Sequence, residues 1–216
     1  ESIKIVVMYA TLLSTFIAAR DLAEVSISKY IIVVMCGFFM IFAKKEQLIY
    51  LIVFTIPFLC GLPGTYILMI ALISYFFKTK KVNARTTIIY LTLILLEIFA
   101  LVFVDRSNII DSVQYLIFLG ILLYLTNENN MDIDNFTCLK LFNIATLIVC
   151  SLITSMAIKT APDNWQILFG NGWFRVGDTQ IDELSGMMLS LNANSMAYFC
   201  IVGIANALLL LSKSNG

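Results

Sequence analysis

Histidine is missing from this chain, and so are the cysteine spacings that hold metals or disulfides. None of the 216 residues is His, which removes the commonest general base and metal ligand and leaves Asp, Glu, Tyr or Lys for acid–base chemistry. No two cysteines form a CxxC pair, so we interpret all five as small core hydrophobes: Cys36, Cys60, Cys138, Cys150 and Cys200. We expect no metal and no other cofactor.

Charge is also scarce, and it is balanced. Charged residues make up 13% of the chain, with 14 basic and 14 acidic side chains. A net charge of zero provides no basic footprint for nucleic acid and no acidic tail. Hydrophobic residues, in contrast, make up 60% of the chain, and the mean hydropathy is +0.93. A soluble domain carries far less apolar surface, so the composition predicts an all-α polytopic membrane protein.

Apolar runs divide the chain into about eight predicted transmembrane helices, because a spanning helix needs about 20 mostly apolar residues. The runs cover residues 3–19, 26–43, 47–60, 64–78, 86–104, 109–126, 137–158 and 187–212. The first run follows Lys4 and has the form of a signal-peptide core, but the further membrane-length runs favour a retained span. We expect one transmembrane helical domain.

Residues 47–77 form one uncharged stretch with two interpretations. The stretch is too long for a single upright span, and its middle contains Pro57, Gly61, Pro63 and Gly64. Proline removes a backbone donor and glycine permits a tight turn. A hairpin of two short helices is therefore favoured over one kinked helix.

Lysine and arginine predict the orientation, because basic residues concentrate in cytoplasmic loops. If the N-terminus is cytoplasmic, five basic residues fall outside and nine fall inside: Lys4, Lys44, Lys45, Lys78, Lys80, Lys81, Arg85, Lys140 and Lys213. We therefore expect both ends of the chain on the cytoplasmic side.

The longest predicted connection covers residues 159–186 and falls on the outer side. It contains both tryptophans, Trp165 and Trp173. Indole rings favour the headgroup level of a bilayer, so this loop is expected to lie on the membrane surface.

Arg175 lies in this loop between two apolar residues. Its guanidinium suits bidentate binding of phosphate or pyrophosphate oxygens. The alternatives are snorkelling to headgroups or an ion pair with a nearby acid. Three acids follow Arg175 closely, and they allow paired-carboxylate glycosyl chemistry, although a solvated loop is favoured: Asp178, Asp182 and Glu183.

Polar residues also interrupt two apolar runs. Asn192, Asn194 and Ser195 lie within an uncharged stretch of 29 residues, 184–212. They predict either helix capping or a broken helix whose positive end faces an anion. Glu97 lies inside a predicted span, where a carboxylate is costly without a partner. It is a candidate proton relay, cation partner or catalytic base, with a structural hydrogen bond as the alternative.

The arginine-bearing loop and the stretch GMMLSLNANSMAYF at 186–199 resemble the O-antigen polymerase and ligase superfamily of bacterial polytopic membrane proteins. In that family an arginine, a glycine and Asn-Pro-Asn or a close variant precede an apolar helix. The matching positions are Arg175, Gly186, Asn192 and Asn194, with Ala197 as the small residue and Ala193 where proline is common. Family members are usually longer, so the chain resembles an N-terminal portion or a truncated member.

The resemblance implies glycosyl transfer at the outer face of the bacterial inner membrane. A saccharide passes from undecaprenyl diphosphate to the terminal sugar of another lipid-linked chain, which extends an O-antigen or capsular polysaccharide. The implied partners are this lipid-linked oligosaccharide and membrane lipids. Arg175 holds the diphosphate leaving group, Glu97 is a second catalytic candidate, and the substrate-binding candidates are Asn192, Asn194, Ser195 and Trp173.

Two other classes remain open from the residues alone. In a transporter or flippase, Glu97 and a broken last helix form a site near the membrane midplane. The third class is a membrane scaffold without catalysis.

Overall fold

The apolar runs of the sequence form α-helices, in which each backbone amide donates to the carbonyl four residues earlier. The computed structural model describes residues 2–60, 64–78, 83–103, 109–126, 134–160 and 193–214. Within these ranges the chain is all-α and has no strand. Its elements are α1 (Ser2–Asp21), α2 (Lys29–Phe42), α3 (Lys45–Thr55), a 3-10 helix (Ile56–Cys60), α4 (Gly64–Lys78), α5 (Ala84–Phe103), α6 (Ile109–Thr126), α7 (Asn135–Thr160) and α8 (Ala193–Ser214).

Local caps explain where the helix ends differ from the predicted ones. The helix predicted from residue 26 begins at Lys29, because Ser28 is its N-cap and accepts a hydrogen bond from the Tyr30 amide at 3.3 Å. Asn83 caps α5 in the same way, accepting from the Arg85 amide at 3.0 Å. The last helix is described only from Ala193, so its predicted start at 187 lies outside the described residues.

The predicted hairpin at 47–77 is confirmed. The stretch divides into α3 with its 3-10 continuation and then α4, while residues 61–63 at the predicted tip lie outside the described residues. The Lys45 ammonium lies 5.6 Å from the centroid of the Tyr75 ring. The first residue of α3 thus lies beside the last turn of α4, an arrangement that one kinked helix does not produce.

Side-chain contacts show that successive helices run in opposite directions. Tyr9, in the first half of α1, bonds Cys36 in the second half of α2. The Tyr90 hydroxyl in α5 donates to the Leu116 carbonyl in α6 at 2.9 Å. The α4–α5 and α5–α6 connections have five residues each, too few to reach back along a helix of 20 residues, which is about 30 Å long. The bundle therefore alternates in direction along the chain.

The two faces of the bundle differ in charge. The face at the starts of the odd-numbered helices and the ends of the even-numbered ones, here called the basic face, carries seven of the described basic residues: Lys4, Lys44, Lys45, Lys78, Arg85, Lys140 and Lys213. The opposite face carries three: Arg20, Lys29 and Lys159.

The centre of the bundle is α3. It packs against α1, α4 and α7, and all but three of its 11 residues are buried. In contrast, α5 packs mainly against α6, and α8 mainly against α7 and the 3-10 helix. These two helices form the edges of the bundle.

The outer surface of the bundle is apolar. Phe77 is 87% exposed, Phe42 71% and Val34 70%. Among the described residues, two helices are long and apolar enough to cross a membrane, Ala84–Val102 and Asn135–Ser155. Others are shorter than the about 20 residues of a full span, with 14 residues in α2, 11 in α3 and 15 in α4.

Candidate functional site

The polar sequence that precedes the last predicted span lies only partly within the described structure. Asn194 and Ser195 belong to the first described turn of α8, on the face opposite to the basic face. Asn192, Arg175 and Trp173 lie outside the described residues, as do Trp165 and the three acids of the same loop. Helix capping by Asn192 and anion binding by Arg175 therefore stay predictions.

A polar contact inside the bundle fixes α8 against α7. The side-chain amide of Asn143 in α7 lies beside α8, with its orientation assigned from its partners. Its nitrogen donates to the Gly203 carbonyl at 3.2 Å, and its oxygen accepts from the Ala207 amide at 3.2 Å. A Cβ at Gly203 would lie 3.5 Å from Thr146, an ordinary van der Waals distance, so this part of α8 packs closely on α7. The contact sets the rotation of α8 against α7.

A second contact extends the same interface toward the opposite face. The Cys150 and Cys200 sulfurs lie 3.7 Å apart, and both thiols are free and half-buried. The residues of α7 from Asn143 to Cys150 pair with residues of α8 in descending order, so the two helices are antiparallel. Of the described cysteines, Cys36 is buried in the core as expected, whereas Cys138, Cys150 and Cys200 are only partly buried.

Glu97 lies on the less exposed side of α5. It is half-buried, whereas its neighbours Leu96 and Ile98 are 59% and 50% exposed. It stands seven residues after Tyr90, which is two helical turns along the same face, and Tyr90 contacts α6. The antiparallel register of the two helices puts Glu97 at the level of Ser112, a buried serine of α6.

The contact between α5 and α6 is close because Gly120 has no side chain. A Cβ at Gly120 would lie 2.8 Å from the Tyr90 ring, so the glycine lets the ring pack against the α6 backbone. None of the described hydrogen bonds or ion pairs involves Glu97. Its carboxylate stands six residues, or about 9 Å, from the end of α5 at the opposite face.

A buried polar cluster at the bundle centre was not predicted from the sequence. The hydroxyls of Tyr9 and Thr55 lie 2.6 Å apart, and the Tyr9 hydroxyl lies 3.4 Å from the Cys36 sulfur. Thr55 donates its own hydrogen to the Leu51 carbonyl at 2.6 Å, so the single proton of the Tyr9 hydroxyl is shared between Thr55 and the Cys36 sulfur. The cluster joins α1, α2 and α3. Tyrosine and threonine occur in many predicted spans, so their presence gave no signal.

Asn143 was also missed, although the sequence contained a signal for it. An amide inside the apolar run 141–153 is as unusual as the carboxylate of Glu97, and an intramembrane polar residue of that kind needs a partner. The same test that selected Glu97 therefore also selects Asn143.

A polar contact on the basic face fixes the start of α7. The Asp134 amide donates to the Tyr50 hydroxyl of α3 at 3.1 Å. The Asp134 carboxylate caps α7 by accepting from Thr137 and from the Phe136 amide at 3.0 Å. The hydroxyl of Thr137 is the main reason why the pKa of Asp134 is lower than its ordinary value. The contact connects the start of α7 to α3 at the bundle centre. Helix α7 therefore packs against α3 as well as against α8.

The described structure puts the candidate residues in two separate helix pairs. Glu97 belongs to the α5–α6 pair, and Asn194 and Ser195 belong to the α7–α8 pair. An intramembrane carboxylate suits proton transfer or cation pairing, whereas a helix start with amide and hydroxyl side chains suits an anion. Comparison with known protein families, with curated proteins and with solved structures found no match.

Proposed function

We propose that the chain is an integral membrane protein whose eight helices cross a lipid bilayer in alternating directions. The outward aromatic side chains, such as Phe42 and Phe77, support this placement. Apolar surface in water is unfavourable by about 25 cal/mol per Å², whereas hydrocarbon accepts it. The shorter helices are compatible with a bilayer because exposed lysines at their ends, such as Lys29 and Lys44, can extend to the headgroups.

The basic face is proposed to be cytoplasmic. The uneven division of lysine and arginine between the two faces supports this orientation, because basic residues are retained on the cytoplasmic side during insertion. The loop with Arg175 and the beginning of α8 are then extracytoplasmic.

The proposed activity is glycosyl transfer from an undecaprenyl-diphosphate-linked oligosaccharide in the assembly of O-antigen or capsular polysaccharide. One observation carries the proposal: an arginine-bearing loop leads to Asn192-Ala193-Asn194-Ser195 at the beginning of α8. The direction of α8 and the charge division between the faces support an outer position for this sequence, where a lipid-linked donor is accessible after translocation.

The chemistry requires a cation at the leaving group. A hydroxyl oxygen of the acceptor sugar attacks the anomeric carbon of the donor, and the bond from that carbon to the diphosphate oxygen breaks. The acceptor proton passes to a base, and undecaprenyl diphosphate leaves with an added negative charge. The planar guanidinium of Arg175 suits this charge, because it donates two parallel hydrogen bonds to phosphate oxygens.

Substitutions of Arg175 test the proposed activity. We expect both Arg175→Ala and Arg175→Lys to lower the yield of long polymer chains by at least about tenfold. Lysine keeps the charge but loses the bidentate geometry. The measurement is polymer length on a gel of polysaccharide extracted from cells with matched membrane abundance of each variant.

Arg85, an exposed arginine on the basic face, gives the matched control, and Arg85→Lys is expected to make chains of normal length. Long chains in both Arg175 variants would exclude the leaving-group role. Loss in alanine with full activity in lysine would reduce Arg175 to general charge attraction.

A second candidate function is transport, and one observation favours it. Glu97 is half-buried in an apolar helix that packs mainly on α6, as expected for a carboxylate that binds a proton or cation along a pathway. Uptake or release of a substrate that depends on Glu97, and polymer length that does not, would favour transport over glycosyl transfer.

A further inference from the structure

Three helix ends meet at one corner of the basic face: the end of α2, the start of α3 and the end of α4. The Lys78 ammonium reaches from α4 to α2 and donates to the Met40 carbonyl at 2.6 Å. The Lys45 ammonium lies over the Tyr75 ring of α4. Lys44, between α2 and α3, is exposed. Contacts between helices therefore hold two of these ammonium groups near the bundle surface, with a third beside them.

The charge of this corner is positive. In the described residues Glu46 is the one acid of the first turn of α3, against the three lysines. In the sequence, Lys80 and Lys81 follow Lys78 after one threonine. The positive end of the α3 dipole adds to the same potential. Clusters of four to eight basic residues next to a membrane span bind anionic lipid headgroups.

Apolar side chains stand directly beside the lysines. Phe77 precedes Lys78 and is 87% exposed, while Phe42 stands two residues before Lys44 and is 71% exposed. A free phosphate or pyrophosphate ion has no apolar part that would pack on such a surface. A phospholipid does, because its acyl chains continue from the headgroup into the hydrocarbon.

We propose that this corner binds an anionic phospholipid, with Lys44, Lys45 and Lys78 around the headgroup phosphate and Phe42 and Phe77 along the acyl chains. The site rests on the membrane placement proposed above and is independent of the glycosyl transfer. Removal of one lysine should weaken retention of the lipid by about fivefold, since each basic residue near an anionic surface contributes about that factor.

The experiment compares phosphatidylglycerol with phosphatidylethanolamine of the same acyl chains, added to the full chain purified in detergent. Native mass spectrometry measures the fraction of protein that retains each lipid. We expect phosphatidylglycerol to be retained at least about fivefold better, and the preference to fall in Lys44→Gln, whose exposed side chain makes no described hydrogen bond. Lys45→Gln/Lys78→Gln should lower it further, because two ammonium groups are removed.

Two further substitutions separate the possible causes. Glu46→Gln removes the acid of the corner and should raise retention, the opposite sign from the lysine variants. Phe77→Ala should lower retention of phosphatidylglycerol, which excludes a site for the phosphate group alone.

The matched control is Lys29→Gln, an exposed lysine on the opposite face, and it should leave the preference unchanged. Equal retention of the two lipids by the parent, or a parental preference in Lys44→Gln and in the double variant, would overturn the proposal. The membrane placement itself is tested with cysteines at Ser26 and Ala84, which lie outside this site, so the two failures are distinguishable.

Discussion

The central helix α3 and the edge helix α5 have similar apolar compositions and opposite surroundings. Leu51 and Phe54 of α3 are fully buried against other helices. In α5 large apolar residues such as Leu95, 66% exposed, and Phe99, 59% exposed, point away from the bundle. An apolar helix packed on all sides is stabilised by its neighbours. An edge helix such as α5 exposes apolar surface that is unfavourable in water, and this difference supports the proposed placement in a bilayer.

The two helices also use their polar residues differently. In α3, Gln47 accepts from the Lys44 amide at 2.8 Å, and Thr55 bonds both Tyr9 and its own helix. Buried polar groups with partners of this kind are structural. Glu97 of α5 has no partner among the described hydrogen bonds. Of these polar residues in α3 and α5, it therefore suits a functional role best.

The largest effect is expected when one large side chain is removed from each helix. Phe54→Ala should lower the free energy of unfolding by about 3 kcal/mol, at the low end for this substitution, because the cavity remains even where the unfolded helices stay in lipid. Leu95→Ala, on the outward side of α5, should change it by less than about 0.5 kcal/mol.

Denaturant unfolding of both variants in the same micelles measures the two values. A similar loss from both substitutions would show that α5 is packed as tightly as α3 and would remove the contrast between centre and edge.

A smaller effect is expected at the polar cluster. Tyr9→Phe removes the donor to Thr55 and should cost about 0.6 to 1 kcal/mol, the size of hydrogen bonds measured between membrane helices. Tyr115→Phe is the matched control, because Tyr115 is 56% exposed on α6. The double variant Tyr9→Phe/Thr55→Val should lose clearly less than the sum of the two single changes, because each single change already removes the shared hydrogen bond. Strict additivity would mean that the two hydroxyls do not interact.

The smallest effect on stability is expected at Glu97. Glu97→Gln keeps the shape and the hydrogen-bonding groups, so the free energy of unfolding should stay within about 0.5 kcal/mol of the parent. Glu97→Leu removes both polar atoms of the side chain. Comparison of Glu97→Leu with Glu97→Gln therefore distinguishes a structural role of Glu97 from a functional one. If Glu97→Leu loses membrane abundance while Glu97→Gln behaves as the parent in every assay, Glu97 is structural and the transport proposal loses its main residue.

The positions of the helices could be predicted from the sequence, because apolar runs and helix breakers are local signals. The break near Pro57 and Gly64 predicted the hairpin that the Lys45–Tyr75 contact confirms. The choice of helix partners could not be predicted in this way. Apolar residues occur on all sides of these helices, so the sequence marks no face that selects α7 as the partner of α3.

The candidate site divides in the same manner. Glu97 could be found as a charge in an apolar run, but its position beside α6 depends on Gly120 and on a helix pairing that is not local. The roles of Arg175, Trp173 and Asn192 came from the resemblance alone and stay predictions. The proposed activity therefore depends first on the side of the membrane that these residues occupy.

Cysteine labelling tests that placement most directly. In a variant without the five native cysteines, single cysteines replace Ser26, an exposed residue between α1 and α2, or Ala84, the exposed first residue of α5. A membrane-impermeant thiol reagent is applied to spheroplasts before and after permeabilisation. Alternating spans with a cytoplasmic basic face predict labelling at residue 26 in intact spheroplasts and at residue 84 only after permeabilisation. Labelling of both residues in intact spheroplasts, or the reverse pattern, would contradict the proposed topology and the outer position of Arg175.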